Sequence, residues 1–231
     1  MRSIKAIFTK QAKDMFRNPM VLVQFIIFPA VALIMTELIA KSNEDIATNM
    51  FVTMMAAIFA GMALVTATAG VIAEDKERKS LRFLVMAGVK PHEYLIGTGG
   101  FILLAGLIAS IAFGLIGVFT GIEFARFLTV MIMAAAASII LGAAIGIVSK
   151  NQQAATALAM PIAVILGFAP MIASFNETVA KAAGILYTQQ LNVIVNDFSA
   201  NFTKAITVIG INIAVLIILF VLAYQKKGLR G

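Results

Sequence analysis

The chain has 231 residues, 61% apolar and 13% charged, with a net charge of +7 and no cysteine. A soluble domain is roughly 45–50% apolar and about 25% charged, so this composition belongs to an integral membrane protein. The absence of cysteine excludes disulfides and thiolate metal sites. A lone histidine, His92, leaves no His-based catalytic cluster.

Residues 1–18 come first. Ile4, Phe8, Ala12 and Met15 recur three or four apart among lysines, ending at Arg17. That pattern predicts an amphipathic helix lying on the membrane surface. Asn18-Pro19 then punctuates before an apolar run of 21 residues, longer than the roughly 7–15 of a signal-peptide core.

A helix needs about 20 mostly apolar residues to cross ~30 Å of hydrocarbon. Six stretches qualify: 20–40, 51–73, 96–120, 127–149, 154–175 and 204–225. None shows the alternation of a transmembrane strand, so the expected fold is all-α with six transmembrane helices. Residues 74–93 form the longest charged loop. Residues 176–203 link the last two spans, and within them Ala182 to Asn196 is apolar yet short for a crossing. A seventh span there would also move Lys226, Lys227 and Arg230 to the far side. The link is therefore read as external, with short helices that dip into the membrane or lie on it.

Charge sets the orientation. Fourteen of the 18 basic residues precede span 1, lie in 74–93, stand at Lys150 or follow span 6. Only Lys41, Arg126, Lys181 and Lys204 lie opposite. The positive-inside rule puts both termini in the cytoplasm. The positive charge is a topology signal and calls for no nucleic acid.

Few residues within the spans could carry chemistry. Glu37 is the one acid, near the outer end beside Lys41, where pairing or solvation at the interface is expected. With no deep acid, Lys, Arg or His, proton-coupled transport and intramembrane proteolysis lose support. Gly106, Ser110 and Gly114 on span 3, and Ser138, Gly142 and Gly146 on span 4, recur every four residues. These rows suggest that the two helices pack tightly on one another. Met54 and Met62 on span 2 offer polarisable surface. Gly97-Thr98-Gly99-Gly100 lacks the Lys-Ser/Thr of a phosphate loop, so the chain is expected to hydrolyse no ATP. Asn176-Glu-Thr178 and Asn201-Phe-Thr203 match the short glycosylation pattern.

The loop reads EDKERKSLRFLVMAGVKPHEYLIG from Glu74. Leu81, Leu84 and Val85 with Met86 repeat at helical spacing, predicting a short amphipathic helix that stops near Gly88. Glu74, Asp75 and Glu77 are expected in its first turns, where a helix dipole favours acids. Such a helix suits the groove of a soluble partner.

Glu77-Arg78-x-Ser80-Leu81-x-x-Leu84-x-x-Ala87-Gly88, followed by Glu93-Tyr94-Leu95-x-Gly97, resembles the loop of ABC-2 type permeases. Arg17-Asn18-Pro19, an apolar run and Pro29 are similar to that family's entry into its first span. So are the six spans and the long final link. The resemblance implies a permease that pairs with a second copy or a cousin, each resting on a separately encoded ATP-binding subunit. ATP and Mg would be held there, so this chain would bind no cofactor or metal and would not be an enzyme. The loop would be the coupling helix, docking through Glu77, Arg78, Leu81, Arg82, Leu84 and Met86. The interfacial helix would present Ile4, Phe8, Met15 and Arg17. By the same resemblance spans 1, 2 and 5 would line the path, with Pro29, Met54, Met62 and Met160 along it. The cargo would be hydrophobic or amphipathic, a drug, lipid or peptide-like compound exported through a prokaryotic cell membrane. An ATPase-independent carrier or channel, or a membrane scaffold or sensor, stays open as an alternative.

Overall fold

The computed structural model describes residues 2–17, 19–43 and 45–227. Helices account for the fold, and no strand occurs among these residues. Helix α1 covers Arg2–Arg17, and α2, Pro19–Met35, runs into a π-helical turn at Thr36–Ala40. Span 2 is assembled from α3, Met50–Ile58, a π-helical turn at Phe59–Ala63, and α4, Leu64–Glu77. Then come α5, Ser80–Met86, α6, Pro91–Ile116, α7, Gly121–Val148, and α8, Gln152–Ala173. Two short helices, α9, Glu177–Ala183, and α10, Gln189–Asn196, precede α11, Phe202–Lys227. Six of these stretches are long and apolar enough to cross a membrane, from Leu22–Ala40 to Phe202–Gln225.

Local signals fix the ends. Pro91 opens α6, and the Glu93 carboxylate accepts the Lys90 N–H at 3.1 Å, a capping interaction at an end that favours anions. Asn151 Oδ1 accepts the Ala154 N–H at 2.8 Å and starts α8. Gly88, at φ +80°, ends α5 in the left-handed region, which costs glycine nothing.

Spans 2 and 4 form the buried centre, while span 6 lies on the outside of span 4 with most of its surface exposed. Phe59, in the π-helical turn, gathers Phe25 and Phe28 of span 1 and Phe113 of span 3 at centroid distances of 5.7, 6.2 and 5.7 Å. Lipid tails are as apolar as these side chains, so packing of this kind and close backbone approach, rather than water exclusion, hold spans together.

The small-residue rows act differently from the expectation that spans 3 and 4 pack on each other through them. A Cβ on Gly142 would lie 2.6 Å from the Val65 carbonyl oxygen, and one on Gly146 2.8 Å from that of Ala69. Both belong to span 2. On the other row, Gly106 also faces span 2, through Leu64, and Gly114 alone meets span 4, at Phe124. The reason is that span 2 runs through the middle of the bundle and needs a backbone-deep groove. A third close approach joins span 2 to span 5, where a Cβ on Gly61 would lie 2.7 Å from the Leu166 backbone.

The last link turns back into the bundle. Tyr187 is 1% exposed, and its hydroxyl lies 2.9 Å from Ser138 Oγ on span 4. Ser138 in turn donates to the Ala60 carbonyl at 2.6 Å, within the π-helical turn of span 2. Because Ser138 gives its one proton to a carbonyl, Tyr187 is the donor. Burial pushes the Tyr187 phenol far above its ordinary value, so it donates as a neutral hydroxyl. Pro170 has no N–H for the carbonyl four residues back, and that carbonyl, on Leu166, is filled by Thr188 Oγ1 at 2.7 Å. Asn192 adds a bond to the Pro170 carbonyl at 2.7 Å. The link thus pairs the carbonyl that Pro170 leaves free and that of Pro170 itself, while Ser138 of span 4 pairs one in the π-helical turn, as a low-dielectric interior requires.

Candidate functional site

Three consecutive residues close span 2, and each reaches a different neighbour. Successive helical side chains point about 100° apart, so a helix end surrounded by others can do this. Asp75 is 5% exposed and pairs with Lys10 of α1. Its other oxygen accepts from Tyr94 Oη of α6 at 2.8 Å and Gln11 Nε2 of α1 at 3.2 Å. Gln11 also contacts Thr98 Oγ1 at 3.4 Å. Lys76 Nζ donates to the Ile147 carbonyl at 2.9 Å, in the last turn of α7. The Glu77 carboxylate accepts the Gln152 N–H at 3.1 Å, in the first turn of α8. A cation at a helix C-terminus and an anion at an N-terminus both follow the helix dipole. The end of span 2 therefore holds α1, span 3, span 4 and span 5 together.

This corrects the expected placement of Glu74, Asp75 and Glu77 in the first turns of the loop helix. They end α4, and α5 starts afresh at Ser80. Lys79 makes the break, at φ +59°, a left-handed conformation that costs a non-glycine residue roughly 1–2 kcal/mol.

Helix α5 thus hangs directly from the three-residue junction. Phe83 and Met86 are each 65% exposed. Leu84, expected on the docking face, instead packs inward against the cluster of Ile7, Ile72, Tyr94 and Ile147. The periodicity named Leu84 and passed over Phe83. Arg78 is exposed and pairs with Glu74 at 2.7 Å. The side chains of Leu81 and Arg82 lie outside the described residues.

Helix α1 packs on span 3. Ile7 fits against Gly97, where a Cβ would lie 2.8 Å from its side chain, and Phe8 meets Phe101 edge-on at 5.3 Å. Ile4, Phe8 and Met15 are half-buried, whereas Ile7 and Gln11, missed by the sequence reading, are the deep contacts. The Arg17 side chain lies outside the described residues.

A cavity of about 300 Å³ opens between spans 1, 2 and 5. Met62 and Met160 line it together with Phe28. Met54 and Pro29 do not: both are buried elsewhere in the packing. At the opposite end of the bundle, Glu37 pairs with Lys41 at 2.6 Å, exposed. No group of His, Cys, Asp and Glu that could hold a metal occurs among the described residues.

The family model of the ABC-2 type transporters matches residues 2–187, from the start of α1 through the first five spans to the buried Tyr187. The chain belongs to the ABC-2 type transporter family. No curated protein matches it. As an ABC-2 chain it is the membrane-spanning permease subunit of an ABC transporter, and membership implies an ABC ATP-binding subunit as its partner. The match takes in the junction at Asp75–Glu77, helix α5 and the cavity, and ends before α10 and span 6.

Asp75, Lys76, Gln11, Tyr94 and Thr98 were not singled out as site residues. The one usable signal was the acidic pair Glu74-Asp75 directly at the end of an apolar run. Tyr187 carried no signal beyond the ambiguous hydropathy of its segment.

Proposed function

We propose that this permease exports a hydrophobic or amphipathic compound, driven by ATP bound with Mg on separate subunits. Two permease chains and two ATP-binding subunits make the working unit. The chain itself binds no cofactor and catalyses no reaction. Both termini face the cytoplasm of a prokaryotic cell, consistent with the strong bias of basic residues to one end.

One observation carries this reading: α5, with Phe83 and Met86 exposed, is separated only by Arg78 and Lys79 from the junction at Asp75, Lys76 and Glu77. A partner seated on α5 moves the end of span 2. The junction passes that displacement to α1 and spans 3, 4 and 5 as one step, because paired charges and helix caps resist independent motion. The cavity between spans 1, 2 and 5 then changes its access. ATP shifts this equilibrium only by its differential affinity for the two states, and couplings of about 1–3 kcal/mol are typical.

The test is co-expression with an ATP-binding subunit encoded beside this chain and purification through a tag on the permease. Stoichiometry and ATPase rate are measured for the wild type and for Phe83→Asp combined with Met86→Asp. A complex of two plus two whose ATPase is altered by the paired substitution supports the reading. A permease that retains no ATP-binding subunit, or transports cargo alone in vesicles, overturns it.

A further inference from the structure

We propose that the cavity between spans 1, 2 and 5 selects a cationic amphiphile, a lipophilic body bearing a protonated amine. This rests on the permease reading and names its cargo class. The cavity wall combines one carboxylate and hydroxyls whose protons are already used with apolar surface. Thr66 Oγ1 donates its proton to the Met62 carbonyl at 2.8 Å, and Thr156 Oγ1 donates to that of Gln152 at 3.0 Å. With their protons committed to their own helices, both hydroxyls offer only lone pairs to a ligand. Gln24 Oε1 is buried and has no partner among the described residues. Glu74 is the only charged residue lining the cavity among the described residues. The Glu74 carboxylate and the two hydroxyls thus line one space as acceptors, beside the side-chain amides of Gln24 and Gln152.

An ammonium group is the complementary ligand, because it carries donors and no acceptor. An anionic head would be repelled by the Glu74 carboxylate, and a neutral head would forgo the charge-assisted bond that an ammonium makes to it. The rest of the wall is apolar and adaptable: Phe28, Met62 and Met160, thioethers suiting bodies of varied shape. Glu74 and Gln24 stand near the ends of their spans that join α1 and α5, and Met62 and Met160 stand deeper. The amine would thus face the basic end and the lipophilic body the middle of the bundle. Glu74 has a competing partner in Arg78 at 2.7 Å, but that side chain is 71% exposed, and exposed pairs of this kind are weak. A cargo amine can displace it.

The test uses purified permease in nanodiscs and a photoreactive probe, a diazirine on a dodecyl chain ending in a primary amine, beside its N-acetylated twin. The amine probe should label the cavity at about tenfold lower concentration, the scale of one charge-assisted hydrogen bond. Glu74→Gln should reduce that preference, whereas Arg78→Gln should raise it by freeing the carboxylate. Thr66→Val, which removes a wall acceptor and leaves the charge, should reduce the preference less than Glu74→Gln, and Arg78→Gln carries the test should Glu74→Gln fail to fold. Equal labelling by the two probes, or a preference indifferent to Glu74→Gln and Arg78→Gln, overturns the inference. ATP-driven flux is read separately. Flux of both probes without preference overturns the cargo class and leaves the permease reading standing. Selective labelling without ATP-driven flux does the reverse.

Discussion

The Glu77 carboxylate accepts the backbone N–H of Gln152 at 3.1 Å, so the last residue of α4 caps the first turn of α8. An anion at a helix N-terminus stabilises it by about 0.3–1 kcal/mol. The effect on stability is small, but this contact is the polar tie between the end of span 2 and the start of span 5. Glu77→Ala is expected to lower thermal stability slightly and to cut cargo moved per ATP severalfold. Glu77→Gln keeps the acceptor and should fall between. Flux and ATPase rate measured on the same vesicles check this.

Asp75 is the most heavily bonded of the three, with Lys10, Gln11 and Tyr94 converging on it. Asp75→Asn leaves Lys10 with only the longer pair to Asp14 at 3.7 Å and should cost about 1.5–3 kcal/mol, the scale of hydrogen bonds to charged groups. Lys10→Met in the same chain should recover part of that loss, since neighbours in one network are non-additive. Denaturation of the four members of this cycle in detergent reads the coupling.

Tyr187 reaches Ser138 from the link, and Ser138 keeps the Ala60 and Ala134 carbonyls as its own partners. Tyr187→Phe therefore removes one hydrogen bond and should cost about 1 kcal/mol. Tyr187→Ala also empties a fully buried ring site and should cost about 3–5 kcal/mol. Thermal unfolding followed by helix signal distinguishes the two.

The crossings of span 2 should tolerate no side chain. Gly142→Ala and Gly61→Ala each set a Cβ within 2.7 Å of a neighbouring helix's backbone, and overpacking of this kind costs about 1–3 kcal/mol. Gly100, with open space around it, is the control: Gly100→Ala should gain about 0.5–1 kcal/mol from helix propensity. Melting temperatures of the three variants give the comparison.

Much of this architecture was legible in the sequence, because a run of some 20 apolar residues has few fates other than crossing a bilayer. The spacing of Gly142 and Gly146 likewise announced a close helix contact. It did not announce the partner, since a row of small residues accepts any backbone and chain neighbours need not be packing neighbours. Leu84 and Phe83 show the limit of periodicity. Both are apolar on a seven-residue helix, and only the position of α1 and span 3 decides which turns inward. The junction at Asp75, Lys76 and Glu77 was hidden for a related reason. A charged triplet at a span end reads as an interfacial flank until three helix termini are known to surround it. Tyr187 was hidden because a segment stitched to carbonyls freed elsewhere needs no apolar periodicity of its own.

In the proposed assembly the ATP-binding partner acts through α5. The chain has no native cysteine, so single cysteines can be introduced without background. Phe83→Cys and Met86→Cys, labelled with a maleimide photocrosslinker in the co-purified complex, should each capture the ATP-binding subunit. Val118→Cys, exposed in the turn between α6 and α7 at the opposite end, should not. Capture from position 118, or none from 83 and 86 while the complex stays intact, would contradict the account.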